Sequence, residues 1–180
     1  MKKIILALVL LAGIASTPAI AKPYVSGSVG LGIAGNWDEV DWNQKLDSSV
    51  AWNCAAGYNF GTYRLEGALG YEKHDFTNTP DDVSMLTVMA NGYYDIDTNS
   101  KITPYVMAGL GVADVKVSWA DSSTNFVWQV GFGAGFKVDD NVTLDLGYRY
   151  IRPEGLECPD DHADVSLHSQ HIMAGIRYQF

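Results

Sequence analysis

The sequence has few basic residues, few cysteines and no long hydrophobic run, and each shortage excludes a class of protein. Twelve Lys and Arg stand against 21 Asp and Glu, and a net charge of −9 argues against binding to nucleic acid. Two cysteines are too few for a disulfide scaffold or a four-cysteine zinc site. The apolar run at residues 4–14 is too short to cross a bilayer as a helix.

The overall composition resembles that of a soluble globular protein. A chain of 180 residues fits one ordinary domain. A mean hydropathy of −0.02 argues against a helical membrane protein, and an aromatic content of 12% argues against disorder. The 18 glycines are many for such a chain, and the order of residues along the chain has to explain them.

The first 21 residues have the pattern of a secretory signal peptide. Two lysines begin the segment, residues 4–14 form its apolar core, and Ala19-Ile20-Ala21 fits the small-x-small cleavage rule. Cleavage after Ala21 would leave one domain, residues 22–180, with ten basic and 21 acidic residues. We therefore expect an exported protein with a net charge of −11.

The rest of the chain alternates with period two, which is typical of strands with one apolar face. In residues 126–138 the even positions are apolar and mostly large, whereas all odd positions except Val127 are small or polar. Successive side chains of a strand point to opposite faces, so the pattern predicts one apolar and one polar face. Eight segments show this alternation, with no convincing helix: residues 24–35, 49–60, 63–72, 83–95, 104–119, 126–138, 143–150 and 171–180.

The connections between these segments alternate between short and long. Short turns at one end and long loops at the other are typical of outer-membrane barrels. A spanning strand needs roughly 9–11 residues, so sixteen strands would leave no loops and eight fit well. The sequence thus predicts an all-β fold, an eight-stranded antiparallel up-and-down transmembrane β-barrel. A change of parity in the fifth strand also predicts a β-bulge near Asp114.

We expect the apolar face to point outward. The side chains of the opposite face are too small and too polar to form the outer surface of a membrane barrel. A soluble barrel would bury its apolar face, whereas a narrow lumen needs small residues and paired charges. Aromatic residues gather near both strand ends, as in the two interfacial girdles of membrane barrels. We expect a lumen charge network that fills the barrel, with an open ion path as the alternative: Arg64, Glu66, Lys137, Asp145, Arg149, His171 and Arg177.

The acidic excess falls in the longer connections, near residues 36–47, 72–82, 120–125 and 152–166, which carry the whole net charge of the exported chain. Two groups of loop residues are candidate ligand contacts: Trp37 and Trp42 in the first connection, and Asp160, Asp161 and His162 in the last. The two tryptophans could equally rest in the membrane interface. The acidic spacing matches no defined cation loop, so we expect no metal and no cofactor.

Two further constellations remain open or are set aside. Cys54 and Cys158 could form a disulfide in an oxidising compartment, although Cys54 is predicted in mid-strand on the lipid face and Cys158 in a long loop. Ser169 and His171 share one face of the last strand, as a nucleophile and its base would. Because the pattern places no acidic partner beside them, we expect no catalytic residues.

Three segments resemble the opacity and Omp25-like family of small outer-membrane barrels: residues 94–98 with Thr103-Pro104-Tyr105, residues 141–150, and residues 174–180. In the last segment, Tyr178 and Phe180 resemble the terminal assembly signal of outer-membrane barrels. The resemblance implies an eight-stranded antiparallel barrel that is surface-exposed and inserted by the barrel-assembly machinery. We also expect contact with outer-membrane lipid and lipopolysaccharide, and no enzymatic activity. Family members serve as adhesins, immune-evasion antigens or structural proteins.

We therefore expect a surface antigen, adhesin or structural envelope protein that displays acidic loops to a host or envelope partner. A small porin-like channel is the first alternative. A lipid A deacylase is the more distant one.

Overall fold

The computed structural model describes residues 21–33, 50–75, 82–117, 120–154 and 168–180. These segments form eight strands: β1 (Lys22–Ile33), β2 (Val50–Asn59), β3 (Tyr63–Asp75), β4 (Asp82–Asp95), β5 (Ile102–Val117), β6 (Ala120–Lys137), β7 (Val142–Glu154) and β8 (Ser169–Gln179). Each strand pairs antiparallel with its sequence neighbours, and β1 also pairs with β8, so the sheet closes. The predicted eight-stranded antiparallel up-and-down barrel is confirmed.

The two ends of the barrel differ in their connections. We call the end that carries residues 60–62, 96–101 and 138–141 the short-turn end, and the opposite end the long-loop end. No helix in the described part of the chain is long and apolar enough to cross a membrane. The predicted signal peptide lies outside the described residues except for Ala21.

The alternation along each strand decides which side chains point into the barrel. In β2, Ala51 is 7% exposed on the inside, whereas the next residue, Trp52, is 47% exposed on the outside. Phe132 and Leu146, each 60% exposed, belong to the same apolar outer surface. The inside holds most of the buried polar and charged side chains instead. The predicted orientation, apolar face outward and polar face inward, is therefore confirmed.

Glycines allow aromatic rings to pack tightly inside this narrow barrel. A Cβ atom on Gly133 would lie 2.6 Å from the ring and hydroxyl of Tyr105. A Cβ atom on Gly57 would lie 2.9 Å from the Tyr24 ring. Both distances are below van der Waals contact, so a larger residue would displace these tyrosines. The lumen is packed so closely at these two positions that glycine is the residue that fits beside the tyrosine rings.

The strands extend further than predicted at the long-loop end. Residues 120–125 are not a loop but the start of β6, which has 18 residues, and β3 continues to Asp75. These strands exceed the roughly 9–11 residues that cross a bilayer, because antiparallel pairing satisfies backbone groups beyond the apolar band as well. The predicted bulge is present as a register shift between Val115 and Val117, just beyond Asp114.

The C-terminus completes the closed sheet. The backbone N–H of Phe180 donates to the carbonyl of Pro23 at 3.0 Å. The rings of Tyr178 and Phe180 meet edge to face at 5.2 Å, and Phe180 is 65% exposed. The predicted assembly signal is therefore an outward aromatic pair at the short-turn end.

Phe180→Ala should lower the yield of folded barrel if the terminal motif is an assembly signal as predicted, because the substitution removes one of its rings without touching the lumen. Heat-modifiable migration of membrane fractions on a detergent gel measures the folded fraction. Phe132→Ala removes a similarly exposed ring in mid-strand and is the control, expected to keep a higher yield. Equal losses in the two variants would contradict a special role of the terminus.

Candidate functional site

Glu66 on β3 is the centre of a hydrogen-bond network in the short-turn half of the lumen. Its Oε1 accepts from the Asn91 amide at 3.1 Å and from the Tyr93 hydroxyl at 2.9 Å. Its Oε2 accepts from the Tyr24 hydroxyl at 3.1 Å and from the Ser26 hydroxyl at 3.4 Å. A carboxylate has about four acceptor positions. Neutral donors from β1 and β4 therefore fill the acceptor capacity of this buried group.

Asn91 extends the network across the barrel. Its Oδ1 accepts from the Gln129 side-chain amide of β6 at 2.6 Å. Asn91 and Gln129 are 2% and 3% exposed, respectively. Glu66 and its partners thus connect β1, β3, β4 and β6 through side chains alone, in addition to the backbone pairing of the sheet.

Arg64 and Asp95 form a bidentate salt bridge beside Glu66. Arg64 Nε lies 2.7 Å from Asp95 Oδ2, and Arg64 Nη2 lies 2.8 Å from Asp95 Oδ1. The two side chains are only 3% and 9% exposed. The guanidinium also lies over the Tyr93 ring at 4.2 Å and the Tyr105 ring at 5.1 Å. Paired hydrogen bonds and cation–π contacts together hold this buried cation in one position.

A looser ion pair joins β7 to β8 in the same half of the lumen. Arg177 Nη2 lies 3.3 Å from Asp145 Oδ1, and the Arg177 guanidinium lies 5.7 Å from the centre of the Tyr24 ring. The two charged side chains are 10% and 19% exposed. This pair places a second cation next to Tyr24, which donates a hydrogen bond to Glu66.

The long-loop half of the lumen contains a contact between strands that are not neighbours. His171 Nε2 on β8 lies 2.6 Å from Glu72 Oε1 on β3, and Ser169 Oγ donates to the same oxygen at 2.9 Å. The imidazole is 1% exposed and the carboxylate 4%. Because β1 and β2 separate β8 from β3, this cluster bridges the lumen.

Glu72 corrects one expectation drawn from the sequence, which places no acidic partner beside Ser169 and His171. The alternation predicts Glu72 on the polar face of the third strand, at the point where the long connection begins. Because β3 continues to Asp75, the alternation of side chains extends to Glu72. Glu72 therefore points into the barrel, as Arg64 and Glu66 do.

The Ser169, His171 and Glu72 cluster lacks the geometry of a hydrolytic triad. In such a triad the carboxylate holds one imidazole nitrogen and the serine contacts the other. Here Ser169 Oγ and Glu72 Oε1 both approach His171 Nε2, at 3.1 and 2.6 Å. The carboxylate thus occupies the nitrogen that would accept the serine proton. Within the described ranges, no three His, Cys, Asp or Glu side chains are arranged to hold a metal ion.

Most of the predicted lumen charges lie where the sequence placed them. Six of the seven predicted residues line the lumen or its cavities: Arg64, Glu66, Asp145, Arg149, His171 and Arg177. Lys137 is the exception. It is the last residue of β6, so its ammonium lies at the barrel mouth, 54% exposed and 3.1 Å from Asp140.

Other predicted residues cannot be placed with this network. Cys54 is a free cysteine exposed on the outside of β2. Several lie outside the described residues: Trp37, Trp42, Cys158, Asp160, Asp161 and His162. Four residues of the network are neutral, so a pattern of charged side chains does not single them out: Tyr24, Asn91, Tyr93 and Gln129. The period of two along each strand indicates their inward direction.

Two small cavities among the described residues lie between these contacts. One of 40 Å³ lies in the long-loop half beside Glu72 and His171, and one of 30 Å³ lies in the short-turn half beside Glu66 and Asp145. Arg149 borders both. At about 10–15 Å³ per water, each holds only a few water molecules.

Comparisons with known proteins agree with this architecture. Residues 4–180 match the family described as outer membrane protein beta-barrel domain. Outer membrane protein PagN of Salmonella typhimurium is 34% identical over 126 residues, 57% of this chain and 53% of PagN. The chain therefore spans about half the length of this curated relative.

Solved structures show the same fold. Neisserial surface protein A is 25% identical with a TM-score of 0.68, over 89% of this chain and 99% of that one. Ail, the attachment invasion locus protein of Yersinia pestis, was crystallised with the heparin analogue sucrose octasulfate. It is 19% identical with a TM-score of 0.59, over 89% of this chain and 99% of that one.

Arg64→Met should destabilise the barrel by about 3–5 kcal/mol, because it leaves the Asp95 charge buried without its partner. The double variant Arg64→Met, Asp95→Leu should recover much of that loss, since apolar residues then replace both charges. Urea unfolding in detergent, followed by tryptophan fluorescence, measures both. Lys137→Met removes an exposed pair and is the control, with an expected change of about 0.5 kcal/mol or less. Similar losses for Arg64→Met and Lys137→Met would contradict the assignment.

Proposed function

Because the chain belongs to the outer membrane protein β-barrel family and lies in a bacterial outer membrane, we propose that it is a non-enzymatic surface attachment protein. In this proposal a rigid barrel with a filled lumen presents acidic extracellular loops to a partner that carries positive charge. The role covers the adhesin and surface-antigen functions expected from the sequence. If the loops bind no partner, the remaining role is a structural one in the envelope.

The distribution of charge carries this proposal. The connections 34–49 and 155–167 contain eight acidic residues and one basic residue. In the lumen, by contrast, Arg64 and Arg177 each have a carboxylate partner. An uncompensated charge of one sign on exposed segments steers partners of the opposite sign and raises their association rate. Ail binds a sulfated, anionic sugar analogue, whereas the loops of this chain favour the opposite polarity.

The filled lumen supports attachment over transport, the alternative function. An eight-stranded barrel has an interior just wide enough to be filled by side chains. The Glu72–His171 contact bridges the long-loop half, and Glu66 with its partners crosses the short-turn half. A porin-like channel would need a continuous water path through both clusters.

The Ser169, His171 and Glu72 cluster also supports a non-enzymatic role. A lipid A deacylase would need the imidazole nitrogen free to accept the serine proton. Glu72 occupies that nitrogen, and the cluster is buried inside the barrel rather than on the lipid-facing surface. Loss of lipid A acyl chains on expression of this chain, abolished by Ser169→Ala, would reverse this assignment.

Two envelope partners belong to the proposal. Two outward aromatic side chains have polar partners: at the long-loop end Trp128 Nε1 donates to Glu154 at 2.8 Å, and in mid-strand Tyr148 donates to Gln170 at 2.6 Å. Amphipathic rings of this kind suit the level of lipid headgroups, which supports contact with lipopolysaccharide. The exposed Phe180 supports recognition by the barrel-assembly machinery.

Neutralising the last loop tests the attachment role. The triple variant Asp160→Asn, Asp161→Asn, Asp164→Asn should reduce adhesion of expressing bacteria to host cells about tenfold, because it removes the charge that steers the partner. Adhesion of the unmodified protein should also weaken as salt is added. Counts of adherent bacteria measure both effects.

A matched control neutralises three exposed acids at the opposite, short-turn end: Asp97→Asn, Asp139→Asn and Asp140→Asn. It should leave adhesion unchanged. Heat-modifiable migration confirms equal amounts of folded barrel. Adhesion that survives loop neutralisation, or that falls equally in the control, would overturn the attachment proposal.

A further inference from the structure

At the long-loop end, β6 extends beyond the strand that pairs with it on one side. β7 ends at Glu154, opposite Phe126, whereas β6 continues to Ala120 and pairs with β5 as far as Val117. Among the described residues, no strand pairs with residues 120–124 of β6 on the side of β7. These residues therefore form a free sheet edge, which we call the β6 edge.

The hydrogen bonds of β6 show which backbone groups this edge presents. The Lys137 N–H donates towards β5 at 2.8 Å, and the Val138 N–H donates to the first residue of β7 at 3.0 Å. Successive residues of a strand direct their backbone groups to opposite sides, and the register with β5 is unbroken from Phe136 to Ser123. Even-numbered residues therefore face β7, so the N–H and C=O of Thr124 point to the free side.

The β6 edge lies beyond the apolar band of the barrel. The ring of Trp128 on the same strand suits the level of the lipid headgroups. At about 3.3 Å per residue, Thr124 lies roughly 13 Å further along the strand, towards the long-loop end. Thr124 is exposed, and residues 120–124 include no large apolar residue. An unpaired backbone edge is costly in lipid, whereas here it is accessible to a partner in water.

Asp114 on β5 indicates the charge of a strand that fits this edge. It is the cross-strand neighbour of Thr124, and its Oδ1 atom is buried without a hydrogen-bond partner in the described part of the chain. Buried polar atoms nearly always have a partner. Residues 114–125 contain two acids and one base, so the surroundings of Asp114 favour a cation. A long basic side chain opposite Thr124 can reach this carboxylate.

We propose that the β6 edge binds an extended, basic segment of a partner protein, which adds to the sheet as a further strand. The backbone groups of Thr124 supply main-chain hydrogen bonds, and a lysine or arginine of the partner pairs with Asp114. A second copy of this chain fits less well, because it would bring two sets of acidic connections together. The inference rests on the proposed attachment function and names the chemistry of its partner.

Binding of a synthetic peptide tests the edge without host cells. The probe is a short dye-labelled peptide in which lysine and threonine alternate with valine, and fluorescence polarisation with the full chain in detergent measures its binding. The binding should be saturable. An N-methylated form of the peptide keeps the charge but lacks main-chain donors, and it should bind about tenfold more weakly or worse. A form with glutamate in place of lysine should also bind more weakly.

Two substitutions at one position separate the backbone from the side chain. Thr124→Pro removes the N–H that points away from β5, so the ladder with β5 remains, and binding should weaken about tenfold. Thr124→Ala keeps this N–H and is the matched control, expected to bind within about twofold of the unmodified protein. Asp114→Asn should weaken binding of the lysine peptide. If Thr124→Pro gives no heat-modifiable barrel, the N-methylated peptide and Asp114→Asn decide.

Each contrary outcome rejects a definite part of the proposal. Absence of saturable binding by the lysine peptide would reject the edge as a docking site. Equal binding of the N-methylated peptide would show that acidic loops attract the charge without strand addition. Self-association that Thr124→Pro abolishes, without peptide binding, would assign the edge to a second copy. Peptide binding together with adhesion that survives loop neutralisation would reject the attachment function alone, so the two proposals fail separately.

Discussion

The rest of the structure depends on the need to satisfy polar groups inside a barrel whose outer surface is apolar. A buried carboxylate such as Glu66 cannot turn outward, because the outer face of its strand is committed to lipid. It must find its partners across the lumen, and donors on β1 and β4 supply them. The contacts with β1 link strands that the backbone ladder leaves separate, because β2 lies between β1 and β3.

This constraint divides the molecule into two electrostatic regions. Inside, arginines and acids compensate each other over short distances, as in the Arg64–Asp95 pair. In sequence, by contrast, the connections 34–49 and 155–167 contain eight acidic residues and one basic residue. The proposed function therefore belongs to the segments, and the barrel determines where they are displayed.

The sequence predicted the fold well because period two and girdle aromatics are properties of single strands. The alternation predicts which face of a strand a residue occupies, but not how far along the barrel axis it lies. For this reason Lys137 is predicted in the lumen, although it lies at the barrel mouth. Partners across the barrel were beyond reach for a related reason. Glu72 meets His171 only because the sheet closes and brings β3 opposite β8. The sequence pattern does not single out a neutral donor such as Tyr93, because its partner Glu66 lies 27 residues away and meets it only in the folded barrel.

We propose that side chains close the lumen, and planar-bilayer recording of the full chain tests this proposal most directly. If the Glu66 network and the Glu72–His171 contact block the water path as proposed, the unmodified barrel should show no discrete, steady openings. The double variant Glu72→Ala, His171→Ala removes the contact that bridges the long-loop half. This variant should therefore conduct more readily than the unmodified barrel. Stable single-channel openings in the unmodified protein would contradict the account.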